Sequence, residues 1–313
     1  RAFETKESRI FDLAFDKKKN VLIAVEHNGN TILYNLDAVK ETNRFKQTVF
    51  SAMTLCTHPL EPLYLLPELN KIHYIDRQTG KKLKTFEPLA NRVMNMSYHQ
   101  QGKYLVTSTL DMKLKVWDLE LNKIVRSFYG FFPVAFTPDG SRFVSMSTTI
   151  DLAVWNPETG DRLAALPTEG ELIQNVSFNK DGTLLSGAGF LGVIRIWDMK
   201  TNQQIQKLSG HVGGIYATAF SPDEKFLASG GMDNTIRIWD LVTGQEIKKI
   251  EQHSILVSDV KYSPDGKWLA CSSWDKTLSV WNTSDWSMKY LLEGHTNMIT
   301  SIDFDAKSQF LAS

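Results

Sequence analysis

Short runs of apolar residues, separated by turn-forming residues, extend along the whole chain. Two examples are the runs Lys225–Ser229 and Lys267–Cys271. Runs of this length, rich in β-branched and aromatic residues and bounded by Gly, Pro, Asp or Asn, are typical of β-strands. No window of the sequence shows a convincing apolar period of an α-helix. The pattern therefore predicts an all-β protein.

The runs recur at a regular interval, which the last third of the chain shows most clearly. Trp197, Trp239 and Trp281 lie 42 residues apart, and each is followed by Asp or Asn. Toward the N-terminus the same position is held at spacings of 42, 38, 42 and 41 residues by Trp155, Trp117, Ile75 and Tyr34. Seven such anchor residues predict seven repeated structural units.

Each unit contains enough signals for four antiparallel strands. An aromatic strand end such as Phe220 precedes the anchor by about 19 residues, and a turn such as Ser221–Glu224 or Ser263–Gly266 follows it. A fourth strand follows the anchor, as in Gly244–Ile250. One such sheet cannot bury both of its faces, whereas sheets stacked around an axis can. The units are therefore predicted to be the blades of a β-propeller.

The units also share polar residues at fixed offsets, namely Gly-His, Ser-Pro-Asp-Gly, a turn Asp and Trp-Asp. In this combination the chain resembles the WD40-repeat family over essentially its whole length. The most complete unit contains Gly210-His211, Ser229, Asp233 and Trp239-Asp240. The resemblance implies that His211, Ser229, Asp233 and Trp239 form a buried, hydrogen-bonded tetrad.

Other units depart from this tetrad. The unit of Trp281 has Cys271 where the hydroxyl is expected, and the unit of Trp117 has Leu89 at the His position. Four units have lost the turn Asp, and they carry in its place Leu191, Thr149, Leu69 and Asn28. Replacing a whole polar network by apolar groups can be nearly neutral, while a half-satisfied network is costly. We therefore expect the divergent units to fold, with the Cys271 unit the least satisfactory.

The strands outside the seven units bear on the number of blades. Residues 1–6 resemble one outer strand, and residues 299–313 resemble two inner strands of a partial eighth unit. These pieces favour an eight-bladed ring closed by pairing of the two ends. The alternatives are the seven blades that are commonest in the family, and a chain that continues into a second propeller. Residues 1–313 are expected to form one propeller domain, as a fragment of a longer chain.

Charge and composition exclude several classes of partner. Thirty-five basic residues balance thirty-five acidic residues, so no overall basic excess favours nucleic acid or an acidic membrane. No segment approaches the roughly 20 apolar residues that span a bilayer. Two separated cysteines, Cys56 and Cys271, are usual for a reducing compartment. We expect a cytoplasmic protein with neither nucleic acid nor membrane as its partner.

The sequence shows no catalytic or metal-binding pattern. His211, His253 and His295 lie 42 residues apart, which places them in different blades and too far apart to share an ion. The sequence contains no Gly-x-Ser-x-Gly motif and no phosphate-binding glycine loop. We therefore expect no catalytic residues, no metal, no cofactor and no enzymatic activity.

Large apolar residues occupy positions that the resemblance places on the top rim of the blades. Residues of this type directly precede the turn Asp position at Leu110, Phe190, Met232 and Trp274. A second rim position, at the start of the inner strand, holds Phe11, Met94, Phe132 and Tyr216. Aromatic residues and Met are enriched in protein interfaces. The sequence favours a partner-binding surface, and the alternative is that these residues pack on one another across neighbouring blades.

The function that these observations favour is that of a non-catalytic scaffold or sensor. It would bind a protein or peptide through its top face, and further domains of the same longer chain would carry the effector activity. The alternative is an enzymatic or small-ligand-binding propeller with a site in the central channel. Since one fold supports many functions, the step from propeller to scaffold is made by analogy.

Overall fold

A computed structural model describes residues 10–16, 21–26, 30–35, 40–46, 56–58, 61–86 and 89–313. These residues form thirty β-strands and contain no helix, which confirms the all-β expectation. The chain divides into two compact units. The first contains Arg1–Phe136, Gly140–Thr148 and Asn156–Asp161, and the second contains Thr137–Asp139, Thr149–Trp155 and Arg162–Ser313.

Three complete sheets belong to the first unit. The strands of the first sheet are β1 (Ile10–Asp16), β2 (Val21–Glu26), β3 (Asn30–Asn35) and β4 (Lys40–Lys46). Those of the second are β5 (Cys56–Thr57), β6 (Leu63–Glu68), β7 (Lys71–Asp76) and β8 (Lys82–Thr85). Those of the third are β9 (Val93–Tyr98), β10 (Tyr104–Thr109), β11 (Lys113–Asp118) and β12 (Lys123–Tyr129).

The boundary between the units passes through the fourth sheet. Its strands β13 (Phe131–Phe136) and β14 (Phe143–Met146) are assigned to the first unit. Its strands β15 (Leu152–Trp155) and β16 (Arg162–Leu166) are assigned to the second.

Three further complete sheets belong to the second unit. The strands of the fifth sheet are β17 (Ile173–Phe178), β18 (Leu184–Gly189), β19 (Val193–Asp198) and β20 (Gln203–Ser209). Those of the sixth are β21 (Ile215–Phe220), β22 (Phe226–Gly231), β23 (Ile236–Asp240) and β24 (Glu246–Ile250). Those of the seventh are β25 (Val257–Tyr262), β26 (Trp268–Ser273), β27 (Leu278–Asn282) and β28 (Met288–Leu292). The last two strands are β29 (Asp303–Phe304) and β30 (Leu311–Ala312).

The strand order agrees with the repeat in the sequence. In each of the seven four-stranded sheets the strands follow one another in chain order, and the ladders resolved between them are antiparallel. All seven anchor residues lie in the third strand of their sheet. The sheets are the blades of a β-propeller. A complete eighth blade is not confirmed, because β29 and β30 form a two-stranded sheet and residues 1–6 lie outside the described residues.

The Trp-Asp dipeptide has a separate physical role for each residue. In the sixth sheet the ring of Trp239 is buried, while Asp240 lies at the start of the turn that follows. The Asp240 Oδ1 accepts hydrogen bonds from the backbone N–H groups of Val242 at 2.9 Å and Thr243 at 2.7 Å. The aromatic residue therefore fixes the packing of the strand, and the carboxylate fixes the turn.

Apolar contacts between successive sheets form the core of the second unit. Ile194, Ile196 and Leu208 of the fifth sheet pack against Leu227 and Trp239 of the sixth. Equivalent residues of the sixth sheet pack against the seventh, and the buried side chains of that cluster include Ile236, Ile238, Ile250, Leu269 and Trp281. Burial of each such side chain contributes about 1.5–3 kcal/mol, so the stacking of sheets supplies much of the stability.

Polar side chains on the innermost strands add directional links between sheets. The Asn175 Oδ1 accepts a hydrogen bond from the Thr218 amide at 3.2 Å, and the Asp259 Oδ2 accepts one from the Ile302 amide at 3.1 Å. Each bond joins the first strand of one sheet to the segment that begins the next. Such bonds set the register between sheets, which apolar packing alone leaves free.

Candidate functional site

One end of each sheet carries two kinds of connection, and we call this end the loop end. The turn between the second and third strands lies here, as does the segment that leads into the first strand. In the second unit the predicted residues Phe190, Met232 and Trp274 begin such turns. The side chains of Phe190 and Met232 are about half exposed, and that of Trp274 is partly buried.

Backbone hydrogen bonds hold these turns against the segments that lead into the same sheets. The Met232 amide donates to the Gly214 carbonyl at 2.8 Å, and the Trp274 amide donates to the Leu256 carbonyl at 3.2 Å. The large side chains therefore project from backbone that is fixed at the residue that carries them. A fixed backbone reduces the ordering cost that a partner has to offset on binding.

The predicted residues of the second unit form two neighbouring pairs. Phe190 and Met232 flank Gly214, since a Cβ atom on that glycine would lie 3.3 Å from both Phe190 Cδ1 and Met232 Sδ. Two residues further along, the ring of Tyr216 lies 6.4 Å from that of Trp274, with an angle of 45° between the planes. We call Phe190, Met232, Tyr216 and Trp274 the loop-end cluster.

The other predicted rim residues belong to the first unit. Leu110 is exposed, while Met94 and Phe132 are partly buried and lie in or near the first strands of their sheets. The ring of Phe132 contacts that of Phe131 edge to face, with centroids 6.2 Å apart. Phe11 lies in β1, and its side chain is outside the described part of the structure.

A buried polar network lies beneath the loop end of the sixth sheet. The His211 ring contacts the Asp233 carboxylate through Nδ1 at 2.9 Å and the Ser229 hydroxyl through Nε2 at 2.8 Å. The Trp239 Nε1–H donates to the same hydroxyl oxygen at 2.8 Å. The structure therefore brings together the four residues that the resemblance implied for a tetrad.

The seventh sheet forms the same network with a different hydroxyl. The His253 Nε2 lies 2.9 Å from the Ser279 Oγ, and the Trp281 Nε1–H donates to that oxygen at 2.9 Å. Ser279 is the cross-strand neighbour of Cys271, which holds the expected hydroxyl position. A serine on the third strand therefore takes over the role of the residue on the second strand. The expected weakness of this unit does not arise.

The third sheet retains part of the network. The Trp117 Nε1–H donates to the Thr107 hydroxyl at 3.1 Å, and the Thr109 hydroxyl donates to Asp111 at 2.5 Å. Leu89, at the histidine position, is buried. The apolar replacement leaves the Trp and the Asp with other partners, which is the condition under which such a loss is tolerated.

The fifth sheet replaces the network by an ion pair. Arg195 and Glu171 are both almost fully buried, and the guanidinium Nη1 of Arg195 contacts the Glu171 carboxylate. The other carboxylate oxygen of Glu171 accepts a hydrogen bond from the Leu191 amide at 3.0 Å, directly beside Phe190. Neither residue is singled out by the sequence pattern. The usable signal was an Arg two residues before Trp197 together with a Glu in the preceding loop.

The ionisation of these groups follows from their partners. Although burial raises the pKa of a carboxyl group, hydrogen bonds from His211, the Val212 amide and Thr235 hold the pKa of Asp233 well below its usual range. Asp275 has a lowered pKa in the same way, with Thr277 and the Ser254 amide among its donors. Burial also lowers the pKa of His253, and Asp275 only partly opposes this. Both carboxylates are charged at neutral pH and serve as hydrogen-bond acceptors.

Within the described ranges, no group of three or more His, Cys, Asp or Glu side chains is arranged to hold a metal ion. Cys271 is buried and Cys56 is partly buried, and the two do not form a disulfide. Among the described residues, no helix is long and apolar enough to cross a membrane.

Comparison with known protein families gives a match to one repeat model. The WD domain, G-beta repeat, matches at residues 80–118, 202–240, 244–282 and 286–313. Each of the first three segments ends with an anchor and the residue after it, as in Trp239-Asp240. The matches therefore fall on the same period that the sequence shows.

Several curated proteins are similar to parts of the chain. TBC1 domain family member 31 of Xenopus tropicalis is 26% identical over 205 residues, which are 59% of this chain and 18% of that protein. WD repeat-containing protein SL1-17 of Schistosoma mansoni is 25% identical over 118 residues, 36% of this chain and 39% of that protein. Target of rapamycin complex subunit wat1 of Schizosaccharomyces pombe is 25% identical over 119 residues, 37% of this chain and 38% of that protein. In each case the matched region covers well under two thirds of the relative's length.

Proposed function

We propose that this chain, which matches the WD40-repeat model at four places, is a non-catalytic scaffold or sensor that binds protein or peptide partners through its loop ends. Propellers of this family generally serve as protein-interaction scaffolds. The observation that carries the proposal is the loop-end cluster, in which Phe190 and Met232 remain about half exposed while hydrogen bonds hold the amides of Met232 and of Leu191, beside Phe190. Exposed aromatic and Met side chains that lie together are characteristic of interaction sites.

The arrangement of polar groups around the cluster supports binding over catalysis. Glu171, Asp233 and Asp275 use their oxygens to hold backbone amides of the loops. The low pKa values of Asp233 and Asp275 make them poor general acids near neutral pH. Their role is to fix the surface that a partner meets.

The proposal extends to the context of the chain. The similarity to proteins several times longer, such as TBC1 domain family member 31, supports a propeller module within a longer polypeptide. Cys56 and Cys271 do not form a disulfide, which supports a reducing, cytoplasmic location. The balanced charge of the whole chain supports a protein or peptide as the partner, in preference to nucleic acid or a membrane.

We also propose that β29 and β30 are the inner half of an eighth blade. Ile299, Ile302 and Phe304 pack on Leu278 and Val280 of the seventh sheet, as successive blades do elsewhere in this unit. The side chain of Leu292 at the end of β28 is 45% exposed, whereas the equivalent Leu208 and Ile250 are 1% and 5% exposed. A further strand beside β30 would cover Leu292 in the way that Trp239 and Leu227 cover Leu208.

Site-specific photo-cross-linking tests the binding surface directly. A benzophenone amino acid is introduced at Phe190 or Met232, and at Ile205 or Ile247 as matched controls. The control residues are equally exposed and apolar, but they lie on outer strands. We expect a discrete cross-linked partner from positions 190 and 232 and none from positions 205 and 247. Equal cross-linking from all four positions, or none from the first two, would contradict the proposal.

A further inference from the structure

The loop end of the second and third sheets exposes a second group of large apolar residues. The side chains of Leu69, Leu110, Met112 and Tyr129 are each more than half exposed. Lys71 and Lys113 lie beside them at the starts of β7 and β11. We call these six residues the cationic loop surface. All six belong to the first unit, whereas the residues of the loop-end cluster belong to the second.

Backbone hydrogen bonds and strand pairing make this surface continuous. Three bonds join its loops, namely Val93 N–H to Leu69 C=O at 3.0 Å, Leu110 N–H to Arg92 C=O at 2.9 Å, and Gly130 N–H to Met112 C=O at 3.0 Å. Lys113 and Tyr129 are direct cross-strand partners, so their side chains emerge from the same face of the sheet. The ammonium and phenol groups can therefore meet the same ligand.

Two of the apolar residues occupy backbone conformations that disfavour them. Leu69 has φ of 55° and Met112 has φ of 56°, in the left-handed region where Asn and Gly are preferred. The positions equivalent to Met112 hold Gly192 and Asn234 in the fifth and sixth sheets, and Ile150 and Lys276 in the fourth and seventh. An exposed apolar side chain in a strained conformation is not explained by folding, because Asn or Gly would serve the turn better.

Positive charge surrounds these apolar side chains. Lys71, Arg92 and Lys113 lie at this end of the two sheets or in the segment that joins them. Lys115 follows two residues further along β11, and the Lys82 ammonium reaches Glu68 from the start of β8. Among the described residues of this region, two carboxylates oppose them: Glu68 binds Lys82 at 3.0 Å, and Asp111 lies 3.9 Å from Lys113. Within this described part, the cations therefore exceed the anions. Burial and the nearby charges of Lys82 and Lys71 lower the pKa of the buried His73.

We propose that the cationic loop surface binds an acidic peptide segment of a partner protein that also carries large apolar residues. Leu69, Leu110 and Met112 would contact its apolar side chains, while Lys71, Lys113 and the Tyr129 hydroxyl would bind its carboxylates. This inference rests on the proposed function, that loop ends bind partner segments, and adds the chemistry of one such segment. An acidic membrane is less well matched, because lipid-binding clusters need about 4–8 uncompensated Lys or Arg residues.

The test uses a short labelled peptide in which Asp and Glu alternate with Leu and Phe. Fluorescence anisotropy with the intact chain is expected to show binding that weakens as salt increases. The double variant Lys71→Glu, Lys113→Glu should lose at least about tenfold in affinity, and the exposed pair Lys200→Glu, Lys225→Glu serves as the control with no loss. A peptide with Lys in place of Asp and Glu should not bind.

A second double variant separates binding from folding. Leu69→Asn with Met112→Asn removes the apolar contacts and places a preferred residue in each left-handed turn. We expect a loss of about tenfold or more in peptide affinity, with a melting temperature that is unchanged or higher.

The proposal would be overturned by equal binding of the basic peptide, by full affinity in either double variant, by failure of the acidic peptide to bind, or by binding to phosphatidylserine vesicles but not to the peptide. If the peptide fails while position 190 still cross-links a partner, this inference falls and the proposed function stands.

Discussion

At the scale of single residues, the buried networks of the sixth and seventh sheets share one order of donors and acceptors. The Trp N–H donates to a serine oxygen, and that serine hydroxyl can donate to the histidine Nε2. The histidine Nδ1–H can then donate to the aspartate. This assignment satisfies every group when the imidazole is neutral, because a protonated Nε2 could not accept from the serine. Either Ser229 on the second strand or Ser279 on the third can supply the hydroxyl.

The substitution Ser279→Ala tests this exchange of positions. Removing the hydroxyl leaves the Trp281 N–H and the His253 Nε2 without their partner in a buried site. We expect a loss of about 1–3 kcal/mol in the free energy of unfolding, measured by urea denaturation. Ser229→Ala should cost a similar amount in the sixth sheet.

Adding Cys271→Ser to Ser279→Ala should restore much of the loss. The new serine would stand where Ser229 stands in the sixth sheet. A double variant no more stable than Ser279→Ala would show that the two positions are not interchangeable.

The pH dependence of stability tests the neutral state of His253. Its pKa in the folded protein lies below the ordinary value of 6.5, so the unfolded chain binds the proton first as pH falls. Stability from this group is therefore complete above pH 6.5 and declines as the pH falls below that value. We expect His253→Gln to show a shallower decline between neutral pH and about pH 5 in thermal melts. An unchanged slope would contradict the assignment.

The sequence identifies part of this chemistry and misses part of it. The four tetrad residues of the sixth sheet all lie at motif positions, so the resemblance names them. Ser279 was missed because a pattern read along one strand does not show which residue faces it on the next. Its signal was a small polar residue two positions before Trp281, where Trp197 and Trp239 are preceded by Arg.

At the scale of elements, a carboxylate joins two connections of each of three sheets. It links the turn between the second and third strands to the segment that leads into the first strand, which we call the entering segment. In the sixth and seventh sheets the turn supplies the acceptor, as Asp233 accepts from the Val212 amide at 3.1 Å and Asp275 from the Ser254 amide at 3.0 Å. In the fifth sheet the entering segment supplies Glu171, which accepts from the Leu191 amide. The fifth sheet therefore keeps a hydrogen bond between its turn and its entering segment, but the acceptor lies on the entering segment and the donor on the turn.

Glu171→Ala is expected to destabilise the fifth sheet strongly. It leaves the buried Arg195 guanidinium without its main partner, and breaking a buried pair in this way typically costs about 3–5 kcal/mol. Urea denaturation gives the magnitude. Glu169→Ala is the matched control, since this exposed carboxylate contacts the same guanidinium and should have little effect.

Removing both charges gives a sharper comparison. The double variant Glu171→Leu, Arg195→Leu should be less destabilised than Glu171→Ala, because no unpaired charge remains buried. A double variant that is much less stable than the single one would mean that packing, and not charge, dominates this site.

The position of Glu171 on the entering segment also explains why the sequence did not predict the buried ion pair of the fifth sheet. Leu191 stands at the turn position that holds Asp in the next two units, so the sequence shows only that a carboxylate has been lost there. The replacing carboxylate lies in another loop, 20 residues earlier in the chain, and joins the turn only after the sheet has formed. Strand number, strand order and anchor positions were predictable because they follow from a period that every sheet repeats.

At the scale of the whole molecule, the apolar residues packed between sheets are different from the exposed residues that we propose bind a partner. Contacts between successive sheets bury the apolar residues that every repeat supplies, such as Ile194, Trp239 and Leu269. The exposed loop-end side chains lie outside these buried clusters and differ in character between the two units. The loop-end cluster is aromatic and Met-rich, whereas the cationic loop surface combines aliphatic residues with lysine.

The most direct test of the central claim combines partner binding and melting temperature in the variant Phe190→Ala, Trp274→Ala. Its matched control is Ile205→Ala, Ile247→Ala, which removes exposed apolar residues away from the loop end. With the partner recovered by cross-linking from position 190, we predict a loss of at least about 2 kcal/mol in binding free energy, with the melting temperature nearly unchanged. The control should bind as the parent chain does. Full binding by the loop-end variant, or a large fall in its melting temperature, would show that these residues are core and not an interaction surface.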